Sequence, residues 1–162
     1  DLIAHPDGWF GVGRDAGGAL PPGLRPLAGL RLQTRVIDGR EVVVAGKGEK
    51  ETILGEKVPE TPVPEAWLAR VGRYEVINPD PGFPVEGPEI RLNNGQLCLR
   101  YRMPRLSPKA IQVPIRPISN TQAIILGLGR TRGETVYGFT ADDGEQRIRY
   151  SGLVARRLAV GD

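Results

Sequence analysis

Thr121 to Leu158 reads TQAIILGLGRTRGETVYGFTADDGEQRIRYSGLVARRL. Its short apolar runs, Thr121 to Leu126 and Glu134 to Thr140, are joined by the loop Gly127-Leu128-Gly129-Arg130-Thr131-Arg132-Gly133. Asp142-Asp143-Gly144 then turns the chain back into Gln146 to Tyr150, and Gly152 separates that run from Leu153 to Leu158. Runs of this length bounded by turn residues are strands of an antiparallel meander. None of these residues forms a recognisable reaction centre, so the stretch speaks of architecture and not of activity.

Upstream, the same pattern predicts strands at Arg73 to Ile77, Glu89 to Asn93, Gln96 to Arg102 and Ala110 to Ile118. Asn94-Gly95 is a strong hairpin signal and Ser119-Asn120 a plausible one. Leu97, Leu99 and Tyr101 alternate with Arg100 and Arg102, and Ile111, Val113 and Ile115 with Gln112 and Arg116, so one face is dry and the other wet. About eight such strands with short connections imply an all-β, antiparallel up-and-down sheet closed into a barrel, since closure removes exposed edges.

Pro64-Glu65-Ala66-Trp67-Leu68-Ala69-Arg70-Val71 is the one convincing helix. Pro64 suits the first helical position, Glu65 complements the N-terminal dipole, and Gly72 follows the last periodic residue. Trp67, Leu68 and Val71 fall on one face, as expected of a short helix plugging an end.

Before the helix, Leu30, Leu32, Thr34 and Val36 alternate with Arg31, Gln33 and Arg35, which predicts a half-buried strand. Asp38-Gly39 is a hairpin turn into Val42 to Ala45. Gly46 to Lys50 reads as a polar turn, Glu51 to Leu54 as a third strand, and Val58 to Pro64, with three prolines, as an extended connector. The expected organisation is an irregular arm or linker at 1–28, docked by its aromatics; a β-hairpin and Pro-rich connector at 29–63; and the barrel at 64–160.

With 162 residues the chain is long enough for a real core. The 22 glycines and 15 prolines punctuate apolar runs instead of replacing them, so turn-rich β structure accounts for them better than disorder does. Net charge is +3, and most basic residues are arginines at alternate strand positions, which predicts solvated faces. No run approaches the length of a membrane span, and no charged-then-apolar leader is present. The chain opens at Asp1 without methionine, as a fragment or processed product would, with any catalytic partner upstream.

Chemistry is constrained mainly by shortage. His5 is the single histidine, so triad chemistry has one candidate, placed beside Pro6 in the arm, and it reads as a surface residue. Cys98 has no disulfide partner and reads as a small packing residue. Zinc cannot be held by Cys98 and His5 alone. Asp142-Asp143-Gly144-Glu145 lacks the later ligands of a calcium loop and reads as a turn. The glycine loop at 127–133 matches neither the dinucleotide nor the P-loop spacing. Arg130, Arg132 and Glu134 are the candidate interface or anion-binding residues. No cofactor and no metal are expected.

The order Pro-x-x-Trp-Leu-Ala-Arg-Val-Gly-Arg-Tyr at 64–74, Ile90 to Leu99 with its central Asn-Gly, Pro117 to Thr121, GLGRTRGETV and RYSGLVARRL resembles the C-terminal region of serine β-lactamase-like hydrolases, the penicillin-binding-protein-related peptidases and esterases. The resemblance covers roughly residues 64 to 158 and implies a lipocalin-like barrel following a catalytic domain. That family's catalytic elements are Ser-x-x-Lys, Tyr-x-Asn and a Lys/His-x-Gly strand. Ser107, Ser119 and Ser151 have no lysine three residues on, and Tyr74, Tyr101, Tyr137 and Tyr150 lack the paired residue. His5-Pro6-Asp7-Gly8 is one residue too long.

The resemblance therefore implies a non-catalytic accessory barrel packing on the catalytic serine hydrolase domain or a homo-oligomer neighbour, with Arg130 to Glu134 walling a substrate cleft. A stand-alone barrel binding one apolar small molecule is the alternative, with Tyr101, Ile115 and Phe139 as the inward residues that would instead fill it. Binding of single-stranded nucleic acid ranks last, because most of the nine aromatics fall in strand patterns.

Overall fold

The computed structural model describes residues 2–13 and 27–159. The described residues form two compact units divided after Lys57.

The first unit is a five-stranded antiparallel meander of β1 (Leu2–Ala4), β2 (Phe10–Val12), β3 (Arg31–Ile37), β4 (Arg40–Lys47) and β5 (Lys50–Glu56). The 1–28 segment is thus not simply an irregular arm: β2 pairs with β3 through Phe10 and Leu32. Asp1 and residues 14–26 of that segment lie outside the described residues. The Asp38-Gly39 turn has φ of 50° and 72°, the paired left-handed geometry that matches strand twist.

The face chosen for burial is the reverse of what alternation implies. Arg31, Gln33 and Arg35 register with Gly46, Val44 and Val42, and Trp9 lies over them, with the guanidinium carbons of Arg31 and Arg35 at 4.4 and 5.0 Å from its ring centre. A cation over an indole face is attractive, and the arginine stems cover the ring. Trp9 with Val42 and Val44 makes the small core, while Val36, on the apolar side of β3, is 73% exposed.

The second unit is a closed barrel. Its strands are β6 (Gly72–Val76), β7 (Glu86–Asn93), β8 (Gln96–Arg102), β9 (Ile111–Pro117), β10 (Gln122–Ile125), β11 (Thr135–Thr140), β12 (Gln146–Tyr150) and β13 (Leu153–Arg157). Each pairs with its sequence neighbour, and β13 closes on β6 through Ala155 and Val76, Arg156 and Glu75, Arg157 and Tyr74. This is the up-and-down barrel expected from the meander. Strand β7 begins three residues early because a bulge between Glu86 and Glu89 lengthens it.

Period-two alternation fills the interior: Ile90, Leu97, Leu99, Ile115, Ile125 and Val136 are each 2% exposed or less. Phe139, expected inside, faces outward with Tyr137, because Val136 and Gly138 take the inward positions of β11. Outside, the arginines pair across strands in register. Arg156 meets Glu75 at 3.0 Å, Arg100 meets Glu89 at 3.2 Å, and the guanidinium of Arg149 lies 4.6 Å from the ring centre of Tyr137.

One end is plugged by α1 (Glu65–Leu68). It is shorter than expected, and Pro64 is its N-cap, with extended backbone. Trp67 is fully buried and its Nε1 donates to the Ser119 carbonyl at 2.8 Å, but Leu68 is 44% exposed and does not share the buried face. Behind Trp67 lies Arg70, buried, donating to the Ala66 and Asn120 carbonyls. Arg157 reaches across the β6–β13 seam to donate to Ala69 and Val71 carbonyls at 2.7 and 2.8 Å. These arginines satisfy carbonyls that so short a helix leaves without backbone partners.

Candidate functional site

An up-and-down barrel sends alternate loops to opposite ends. The helix, the 94–95 turn and the 118–121 turn gather at the plugged end, so the loops after β6, β8, β10 and β12 ring the other. Between these loops opens a cavity of about 600 Å³. Its walls are mainly apolar: Val76, Val85, Leu99, Met103, Ile148 and Ala155 from the barrel interior, with Phe83 and Leu106 at the mouth.

Two phenols contribute to the cavity's polarity, alongside Asn78, Asp80, Thr131 and Ser151. Tyr101 is the penultimate residue of β8 and Tyr150 the last of β12, and both line the cavity. Strands β8 and β12 stand opposite one another in the barrel order, so the pair spans the lumen, ring centres 6.2 Å apart and planes tilted by 47°. The strands that line the cavity run from β12 through β13, β6 and β7 to β8, whereas β9, β10 and β11 contribute none of the lining. The tyrosines therefore partition the interior into a packed side and a hollow one.

The pair lies beside the mouth, where Thr131 and Glu134 of the β10–β11 loop act on the Tyr150 hydroxyl. Burial, the largest influence on both, raises each phenol's pKa, and the nearby Glu134 carboxylate adds to it. Both rings accordingly stay neutral at physiological pH and remain able to donate and accept hydrogen bonds.

Arg130, Arg132 and Glu134, singled out from sequence, sit on this same loop. It is folded tightly, with Arg132 N donating to Gly129 O and Gly133 N to Ile125 O. The fold turns Thr131 into the cavity while Arg130 and Arg132 are exposed at its rim. Sequence reasoning missed Tyr150 and gave Tyr101 a filling role; the available signal was that each is an inward-parity tyrosine near the same end of its strand.

Cys98 is 3% exposed, its Sγ is 3.7 Å from the Gln96 carbonyl, and burial raises its pKa, so its thiol is not a ready nucleophile. Among the described residues no group of His, Cys, Asp and Glu is placed to hold a metal ion, and no helix is long and apolar enough to cross a membrane. Against known protein families, curated proteins and solved structures, the chain finds no match in any of the three comparisons.

Proposed function

We propose that the barrel is a binding domain for one small, mainly apolar molecule carrying a single hydrogen-bonding group. The observation that carries this reading is the hollow half of the lumen, about 600 Å³ and walled by aliphatic side chains with the tyrosine pair at its flank. Volumes of a few hundred Å³ with apolar walls and few polar groups are what small-molecule sites present. The aliphatic walls supply affinity, and a phenol supplies orientation.

Titration with an apolar fluorescent probe of naphthalene size tests it. Saturable one-site binding is expected, weakened by about tenfold or more when Ala155→Phe fills the cavity. Tyr150→Phe is expected to weaken probes bearing an acceptor oxygen while sparing the bare hydrocarbon. Absence of saturable binding by the folded protein would refute the reading.

A second reading keeps the barrel as an accessory domain of a serine β-lactamase-like hydrolase. Its support is that Arg130 and Arg132 stand exposed on a loop tip at the mouth of the barrel. Binding of the separately expressed catalytic domain, lost on substitution of both arginines, is its test.

A further inference from the structure

Three separate loops at the open end each hold a large apolar side chain out to solvent. Phe83 on the β6–β7 loop is 58% exposed, Leu106 on the β8–β9 loop 65%, and Leu128 on the β10–β11 loop 42%. These tips are built, not frayed: Phe83 N donates to Asp80 O, Leu106 N to Met103 O, and the Arg105 guanidinium ties two of the loops together by donating to Gly82 O at 3.0 Å.

Charge separates the two ends of the barrel. The open-end loops carry Arg105, Lys109, Arg130 and Arg132 against Asp80 and Glu134. The plugged-end loops carry Glu60, Glu65, Asp142, Asp143 and Glu145 and the buried Arg70, with Arg73, Arg147 and Arg157 at the strand ends beside them, so that end lacks the basic excess of the open one. The plugged end also exposes Leu68, Leu92 and Ile118, but its loops carry more acidic than basic residues.

We propose that this open end is a docking face for an anionic lipid surface, into which Phe83, Leu106 and Leu128 insert while Lys109 and the arginines lie at headgroup level. Apolar side chains exposed together in one region mark an interaction surface, and basic residues around them match the negative potential of anionic lipid. The cavity opens among the same loops, so a docked barrel faces its hollow half toward the acyl region. Docking rests on the loops alone, whatever the cavity holds.

Co-sedimentation of the full chain with phosphatidylcholine vesicles, with and without phosphatidylserine, tests the proposal. Binding to the phosphatidylserine vesicles, weakened by salt, is expected. Arg130→Ala and Lys109→Ala should each weaken it by about fivefold. The double variant Phe83→Ser with Leu106→Ser should abolish it with an unchanged melting curve. Ile118→Ser, which removes a side chain 54% exposed at the plugged end, should bind as the parent does, and Ala155→Phe should still dock although its cavity is filled. Equal binding to both vesicles, no binding to either, or a loss with Ile118→Ser as large as with the loop variants overturns the proposal. So does capture of a hydrolase catalytic domain by this face in place of vesicles.

Discussion

Arg70 occupies the space that a side chain on Gly138 would need: a Cβ built at Gly138 falls 2.6 Å from the Arg70 Cδ. The guanidinium cannot swing aside without leaving the Ala66 and Asn120 carbonyls, which it holds at 2.5 and 2.9 Å. Gly138→Ala should therefore destabilise the barrel by about 1–3 kcal/mol, as overpacking does. Urea midpoints measure it, and Arg70→Met in the Gly138→Ala background should cost less than the two single changes together.

Trp67 separates packing from hydrogen bonding at the plugged end. Trp67→Phe keeps most of the buried ring but strands the Ser119 carbonyl that Nε1 serves at 2.8 Å, at a cost of about 1–2 kcal/mol. Trp67→Ala also opens a void and should cost about 3–5 kcal/mol. A ratio near one between the two losses in a denaturant titration would contradict this division.

Alkaline pH should weaken the barrel through its buried phenols. Burial raises the Tyr74 pKa from 10.0 to about 12, and its hydroxyl donates to the Arg70 carbonyl at 2.7 Å. The folded state then holds this proton more tightly than the unfolded chain, so its contribution is intact below pH 10.0 and lost as pH climbs toward about 12. Tyr101 and Tyr150 act in the same direction. Stability curves across that window should fall in the parent and fall less steeply in Tyr74→Phe, which starts lower by about 1 kcal/mol for its missing hydrogen bond.

Each unit contains one of the two tryptophans. Trp9 belongs to the small cluster with Val42 and Val44, and Trp67 to the barrel core. Trp9→Ala should lower the stability of the five-stranded sheet by about 3–5 kcal/mol while the Trp67 emission transition keeps its midpoint. A matching shift in the Trp67 transition would show that the units unfold as one.

The barrel was legible because its strands obey one rule: inward residues at every second position, Leu97, Leu99 and Tyr101 above all, between turns such as Asn94-Gly95. In the first unit β3, β4 and β5 were legible but the buried face was not, because it is made of arginine stems lying against Trp9, and alternation counts arginine as solvent-facing. Phe139 was misplaced for a related reason. Apolar size alone cannot reveal that Gly138 takes the inward position to admit Arg70. At the open end, the arginine loop stood out in the sequence, whereas the tyrosine partition depended on β8 and β12 meeting across the lumen, a relationship that closure creates and no local pattern contains.

That closure also sets the timing of assembly on the ribosome. Strand β6 is made first among the barrel strands yet takes one of its two neighbours from β13, the last to emerge. Until then β6 offers an unpaired edge, and the nascent barrel is an open sheet prone to pairing with other chains. A chain stopped before Arg157 would lack the last rung of the β6–β13 seam and its clamp on Ala69 and Val71. Completing the barrel is thus a late, concerted event: nearly the whole unit must be translated before any of it becomes safe from aggregation.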